Sequence, residues 1–161
     1  MDKSLDEMPD VRQCLTFVCA GEEYGVDILR VQEIKGWSGA TPVPRTPAYV
    51  RGVMNLRGVI VPVIDLRLRF GLESRSFDAS TVVVVVRVQC GINSKTVGIV
   101  VDGVSEVVNF PANSITPPPA GAVGAKEAWV CGLGSVGKKM VSLLDIDALI
   151  ATAIEGMCTD R

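Results

Sequence analysis

The sequence predicts a mainly β fold: two small barrel-like lobes built on one plan, with short helices and a helix near the C-terminus. Three observations carry that reading. Short segments rich in Val, Ile and Thr recur along the chain, separated by Gly, Pro and Asn. Two blocks are repeated in the same order: residues 24–34 align without a gap on 97–107, and 52–66 on 132–146. Each second block ends by entering a helix that an aspartate, Asp65 or Asp145, is suited to cap.

The repeat places Gly25 on Gly98, Val31 on Val104 and Glu33 on Glu106, then Gly52 on Gly132, Val61 on Val141 and Asp65 on Asp145. Three identities in 11 positions and three in 15 are weak separately. The same order with the same ending is the stronger signal. Glu106 and Gly132 lie 26 positions apart against 19 for Glu33 and Gly52, and a Gly/Ala loop at 120–125 absorbs most of the difference.

Taken in order, residues 1–10 are polar and read as a flexible tail. A first strand covers 13–19 and ends at the turn of Gly21, Glu22 and Glu23. Strands follow at 24–27 and 31–34, with an awkward middle around Leu29 and Arg30. Pro42, Pro44 and Pro47 make 36–47 a loop, and Pro47 is placed to open a single helical turn through Val50. The segment 49–66 reads as a β-hairpin around Asn55, Leu56, Arg57 and Gly58, followed by a short helix, 66–70, stopped by Gly71. After a polar connector, five consecutive valines at 82–86 indicate a strand buried on both faces. Residues 96–110 are again β-rich, and 129–144 suggest a second hairpin turning near 134–138. At the end the period changes: Ile146, Leu149, Ile150, Ala153 and Ile154 share one helical face, with Gly156 as the stop.

Composition excludes several classes of function. The 161 residues suit one domain, or two small lobes sharing a core. A net charge of −2 speaks against a nucleic-acid partner, which needs a basic face for phosphates. No apolar run reaches the length of a membrane span and the first residues lack an apolar leader core, so a soluble, cytoplasmic protein without membrane insertion is expected. There is no histidine, which removes the commonest general base and metal ligand. Five cysteines without C-x-x-C spacing read as small buried apolar residues, so neither a metal nor a cofactor is expected.

Residues 132–137 match G-x-G-x-x-G, and with Lys138 they match G-x-x-x-x-G-K. A nucleotide-binding enzyme would use such a loop at a helix N-terminus. Here the following run, 139–144, is strand-like, and Lys139 stands where Ser or Thr is needed. No carboxylate pair stands out for acid–base chemistry; Asp102 and Glu106 read as solvated groups near turns. Glu33 differs, because it interrupts an apolar strand: it either points outward or needs a cationic partner, for which Arg57 is a candidate.

The strings E-Y-G-V-D-I-L-R-V-Q-E-I at 23–34, P-V-P-R-T-P at 42–47 and G-V-M-N-L-R-G-V-I-V-P-V-I-D-L at 52–66 resemble the CheW family of bacterial chemotaxis coupling proteins. So do V-G-I-V-V-D-G-V-S-E-V at 97–107 and the Gly132-Leu-Gly segment. The resemblance covers roughly 12–152. It implies two SH3-like five-stranded β-barrel lobes in one domain over 11–155, spanning about 22–75 and 76–145, with the N-terminal strand and C-terminal helix completing a shared core. It also implies a non-catalytic adaptor joining the histidine kinase CheA, through its CheW-like regulatory domain, to the cytoplasmic tips of methyl-accepting chemoreceptors. Such an adaptor is cytoplasmic and recruited to membrane-associated arrays, where further CheW copies are candidate partners; a chemosensory system unrelated to motility stays open. Carried over position by position, Ile28, Val31, Glu33, Gly52 and Arg57 would line or support a receptor groove from the first lobe. Val82, Val83, Gly98, Val104 and Val107 would do so from the second.

Overall fold

The computed structural model describes residues 11–117 and 129–151. The expected tail over 1–10, the loop at 120–125, and Ala153, Ile154 and Gly156 of the C-terminal helix lie outside the described residues.

Among the described residues eleven strands form two sheets, so the mainly β, two-lobed fold is as expected. The strands are β1 (Val11–Cys19), β2 (Glu22–Asp27), β3 (Val31–Gly36), β4 (Val50–Leu56), β5 (Val59–Asp65), β6 (Val82–Cys90), β7 (Asn93–Val101), β8 (Gly103–Pro111), β9 (Ile115–Thr116), β10 (Val130–Val136) and β11 (Lys139–Leu144). Two short helices, α1 (Leu66–Arg69) and α2 (Ile146–Ala151), follow β5 and β11. One sheet runs β8-β1-β2-β11-β10-β9 and the other β3-β6-β7-β5-β4. Pro47 opens a hydrogen-bonded turn to Val50 rather than a helix, with Val50 N–H 3.0 Å from the Pro47 carbonyl.

The duplication is visible in the hydrogen bonds. Asp65 N–H donates to the Tyr49 carbonyl and Asp145 N–H to the Trp129 carbonyl, both at 2.7 Å. Each aspartate then caps its helix: Asp65 Oδ1 accepts from Arg67 N–H at 3.0 Å and Asp145 Oδ1 from Ala148 N–H at 3.1 Å. Both hairpins slip register at equivalent places, between Val50 and Gly52 and between Val130 and Gly132.

The lobes, however, do not follow one another along the chain as 22–75 and 76–145. Each copy keeps its first two strands in one sheet and sends the next strands to the other. Thus β1 and β2 sit with β8, β10 and β11, whereas β6 and β7 sit with β3, β4 and β5. The exchange is sealed by two parallel pairings, Val63–Gly98 and Leu143–Gly25, which are equivalent under the repeat. Alternation along a strand encodes which face is buried but not which copy supplies the neighbour, so the sequence could not disclose the crossing.

Three apolar clusters result. Val83, Val85, Val61, Val63, Met54, Leu56 and Val100 fill the five-stranded lobe. Cys14, Val108, Phe110, Val141 and Leu143 fill the six-stranded one. The largest cluster lies between them and draws on both sheets and both helices, including Phe17, Tyr24, Val84, Val86, Ile99, Leu66 and Leu149. The valine run therefore feeds two cores by strict alternation. With about 1.5–3 kcal/mol for each buried large apolar side chain, the interlobe cluster outweighs either interior, so the lobes are one folding unit.

The first two glycines of the G-x-G-x-x-G string have packing reasons, and the third, Gly137, turns the hairpin with a φ of 59°. A Cβ at Gly134 would lie 2.7 Å from the Phe110 ring, and one at Gly132 would lie 2.9 Å from Ile115. Both sit in β10, Lys139 opens β11, and no helix follows, so the string forms no phosphate cradle. Cys14 and Cys19 are buried, and burial pushes the Cys14 thiol up to about 11; Cys131 is exposed, contrary to the expectation for the cysteines.

Candidate docking surface

The hairpin of β4 and β5 turns on two residues, Arg57 and Gly58, with φ of 53° and 90°. Positive φ at both positions is the type I′ turn that matches the twist of paired strands. Asn55 Oδ1 accepts from Gly58 N–H at 2.8 Å and fixes the loop. Glycine or asparagine usually takes the first position, and an arginine there costs about 1–2 kcal/mol. The second copy has Gly137 at the equivalent place, with φ of 59°. A strained arginine where the other copy has glycine points to a use for the side chain beyond turning the chain.

That side chain pairs with Glu33 of β3, and the Arg57 hydrogen bond holds the Glu33 carboxyl below its ordinary range. Arg57 is 73% exposed and Glu33 25%. Strands β3 and β4 are the two edges of the five-stranded sheet. Thr41, beyond β3, exchanges two backbone hydrogen bonds with Val53 of β4, at 2.8 and 2.9 Å. The Thr41–Val53 bridge closes this sheet on itself, and the Glu33–Arg57 pair spans the same seam.

Exposed apolar side chains adjoin the pair in sequence: Ile34 next to Glu33 (43% exposed), and Val59 and Ile60 just past the turn (56% and 60%). Val59 and Ile60 line a cleft of about 390 Å³ with Val53, Pro62, Lys95 and Thr96. Spacing does not single out Val59 or Ile60: alternation puts only one of two successive strand residues outside, whereas both are exposed here.

The ten positions expected for a groove divide into three groups and one outlier, Val107. Glu33 and Arg57 form the exposed pair. Ile28, Val31, Val82 and Val104 are half-buried and pack on the rim of the interlobe cluster. Gly52, Val83 and Gly98 are buried. A Cβ on Gly52 would lie 2.1 Å from the Thr41 carbonyl oxygen, and one on Gly98 would lie 2.8 Å from Val83, so these residues shape the lobe from inside and have no surface to offer. Val107 is 49% exposed but stands on β8, in the other sheet.

A second depression, lined by Trp37, Arg51, Arg75 and Phe77, carries two guanidinium groups. Both are neutralised, Arg51 by Asp65 at 2.9 Å and Arg75 by Asp78 at 2.8 Å, so it presents no free charge to an anion.

Residues 13–153 match the model of the CheW-like domain. The chain belongs to the CheW-like family. It is 45% identical over 141 residues to the chemotaxis protein CheW of Klebsiella aerogenes, covering 88% of this chain and 82% of that one. A probable chemotaxis protein CheW of Rhizobium etli is 34% identical, with 87% and 88% covered. Among solved structures, the scaffolding protein TtCheW of Thermoanaerobacter tengcongensis superposes with a TM-score of 0.78 at 34% identity, covering 89% of this chain and 93% of its own. In this CheW-like chain the N-L-R-G-V-I-V-P-V-I-D-L string is therefore the hairpin that carries the strained arginine and the exposed apolar pair.

Proposed function

We propose that this chain is a non-catalytic chemotaxis coupling adaptor that joins chemoreceptor tips to the kinase CheA, in the cytoplasm at membrane-associated arrays. No helix among the described residues is long and apolar enough to cross a membrane, which fits recruitment through partners. The observation that carries the reading is Arg57: an arginine held in a left-handed turn, paired with Glu33, beside exposed Val59 and Ile60. An apolar face with one oriented ion pair suits an amphipathic helical hairpin such as a receptor tip, the apolar contact giving affinity and the charges giving orientation. Ile28, Val31, Val82 and Val104, which pack on the rim of the interlobe cluster, would extend the groove from that rim. The kinase's CheW-like regulatory domain and further copies of this family would take other edges of the lobes. Such contacts need be worth only about 1–2 kcal/mol each, because arrays multiply weak contacts by avidity.

Titration of a soluble receptor-tip hairpin fragment into the full chain tests this. Saturable binding on the order of micromolar is expected. A flat titration contradicts the docking assignment.

A further inference from the structure

The cleft beside Ile60 lies where the parallel pairing of β5 and β7 stops short of the hairpin turn. Val53 exchanges both its backbone hydrogen bonds with Thr41 and so turns away from β5. In an antiparallel pair, facing residues either both turn their backbone groups toward each other or both turn them away. Pro62, which faces Val53, therefore turns its own backbone toward β7. Proline has no N–H to donate there. The ladder between β5 and β7 begins only at Val63–Gly98.

The second copy supplies an internal control. Ser142 stands at the position equivalent to Pro62, and its ladder to β2 begins one step earlier, at Ser142–Tyr24. The matching step in the first hairpin, Pro62 with Val97, is missing. Pro62 thus props open a fork, and the space below it is the cleft of about 390 Å³ lined by Val53, Val59, Ile60, Pro62, Lys95 and Thr96. That size is near the lower end of the ~300–1,000 Å³ of small-molecule sites, enough for one or two side chains.

We propose that this fork is a specificity pocket of the docking face: it takes a large apolar side chain from an amphipathic helix, and Lys95 pairs with a carboxylate about one turn away on that helix. The inference rests on the receptor-docking reading. Charge complementarity selects the occupant. Arg57, two residues before Val59, already has Glu33. Lys95 is half-buried on the cleft wall, and among the described residues no carboxylate lies within ion-pair distance of it. A lysine beside an apolar cleft favours a partner whose apolar seam is flanked by Asp or Glu. The six-stranded lobe offers no equivalent: Met140 replaces Ile60, Lys139 replaces Val59, and Lys139 is paired with Glu23 at 3.7 Å.

The test compares the wild-type chain with Lys95→Glu and Pro62→Ser, titrating the same receptor-tip hairpin fragment. Lys95→Glu is expected to weaken binding about tenfold, and a fragment with the facing acid replaced by Lys is expected to restore it. Pro62→Ser introduces an amide at position 62 that is expected to be protected from hydrogen exchange as the ladder closes, and it is expected to weaken binding by about the same factor. Lys95→Glu, a surface change that leaves the ladder intact, decides the matter. Affinity within about twofold of wild type overturns the pocket while the docking face stands. No binding by the wild-type chain overturns the docking reading itself.

Discussion

Arg57 and Glu33 form an ion pair that joins the two edges of the five-stranded sheet at the mouth of its lobe. The sheet is already closed by backbone hydrogen bonds between Thr41 and Val53, so the pair is not needed to hold it shut. Exposed ion pairs contribute little to stability. Arg57→Glu is therefore expected to leave the thermal midpoint unchanged and to weaken binding of the receptor-tip fragment. The double swap Glu33→Arg, Arg57→Glu is expected to recover part of it. In a carboxyl titration followed by NMR, Glu33 is expected to titrate below its ordinary value and to move back up in Arg57→Gln. Full binding by Arg57→Glu removes the pair from the docking face.

Gly52 reads in sequence as a groove residue, but its φ of 138° and the 2.1 Å approach of a Cβ to the Thr41 carbonyl make it a backbone requirement. Gly52→Ala is expected to cost about 3 kcal/mol or more in urea unfolding, because neither contact is with a movable side chain. Its binding defects are expected to follow the loss of folded protein, unlike those of Arg57→Glu.

Asp102 links three elements. Its carboxylate accepts from Arg67 of α1 at 2.7 Å and from Ala20 N–H in the β1–β2 turn at 2.9 Å, while it marks the crossing from β7 to β8. Burial raises its pKa, but the Arg67 and Ala20 hydrogen bonds outweigh that and hold it below the ordinary 3.8. A depressed folded pKa means that its stabilisation is complete above 3.8 and is lost as pH falls below that toward the folded value. Asp102→Asn is expected to cost about 1–3 kcal/mol at neutral pH. The gap from wild type is expected to narrow in acid, as followed by urea midpoints across pH.

Arg69 lies between two equivalent residues of the copies, its Cζ 4.8 Å from the Tyr49 ring centroid and 4.3 Å from that of Trp129. Its Nε–H donates to the Leu149 carbonyl at 3.0 Å, and burial lowers its pKa. A planar guanidinium suits this sandwich and a lysine ammonium does not. Arg69→Lys is expected to destabilise the chain by about 1–2 kcal/mol, measured as a lower urea midpoint with an unchanged slope.

Much of this fold was legible because hairpins, caps and doubly buried strands leave local marks. Asp65 and Asp145 cap helices, the valines at 82–86 serve two cores, and the repeat survives in the hydrogen bonds of Tyr49 and Trp129. What could not be read depends on neighbours far along the chain. Val83 looks like Val82 in sequence, yet it points into a lobe interior. Asp102 looks solvated until the fold brings Arg67 and the Ala20 N–H to it. The exchange of strands between copies leaves no periodic signal at all. Arg57 was conspicuous in sequence as a charge on a tight turn, but its left-handed φ required the structure.

The most direct test of the adaptor role is a three-component experiment. Kinase and receptor-tip fragments are mixed at micromolar concentration with and without this chain and separated by size-exclusion chromatography. A ternary species is expected that forms only when the chain is present and is lost with Arg57→Glu. Binding to one partner alone, or association of kinase and receptor that does not depend on the chain, would contradict it.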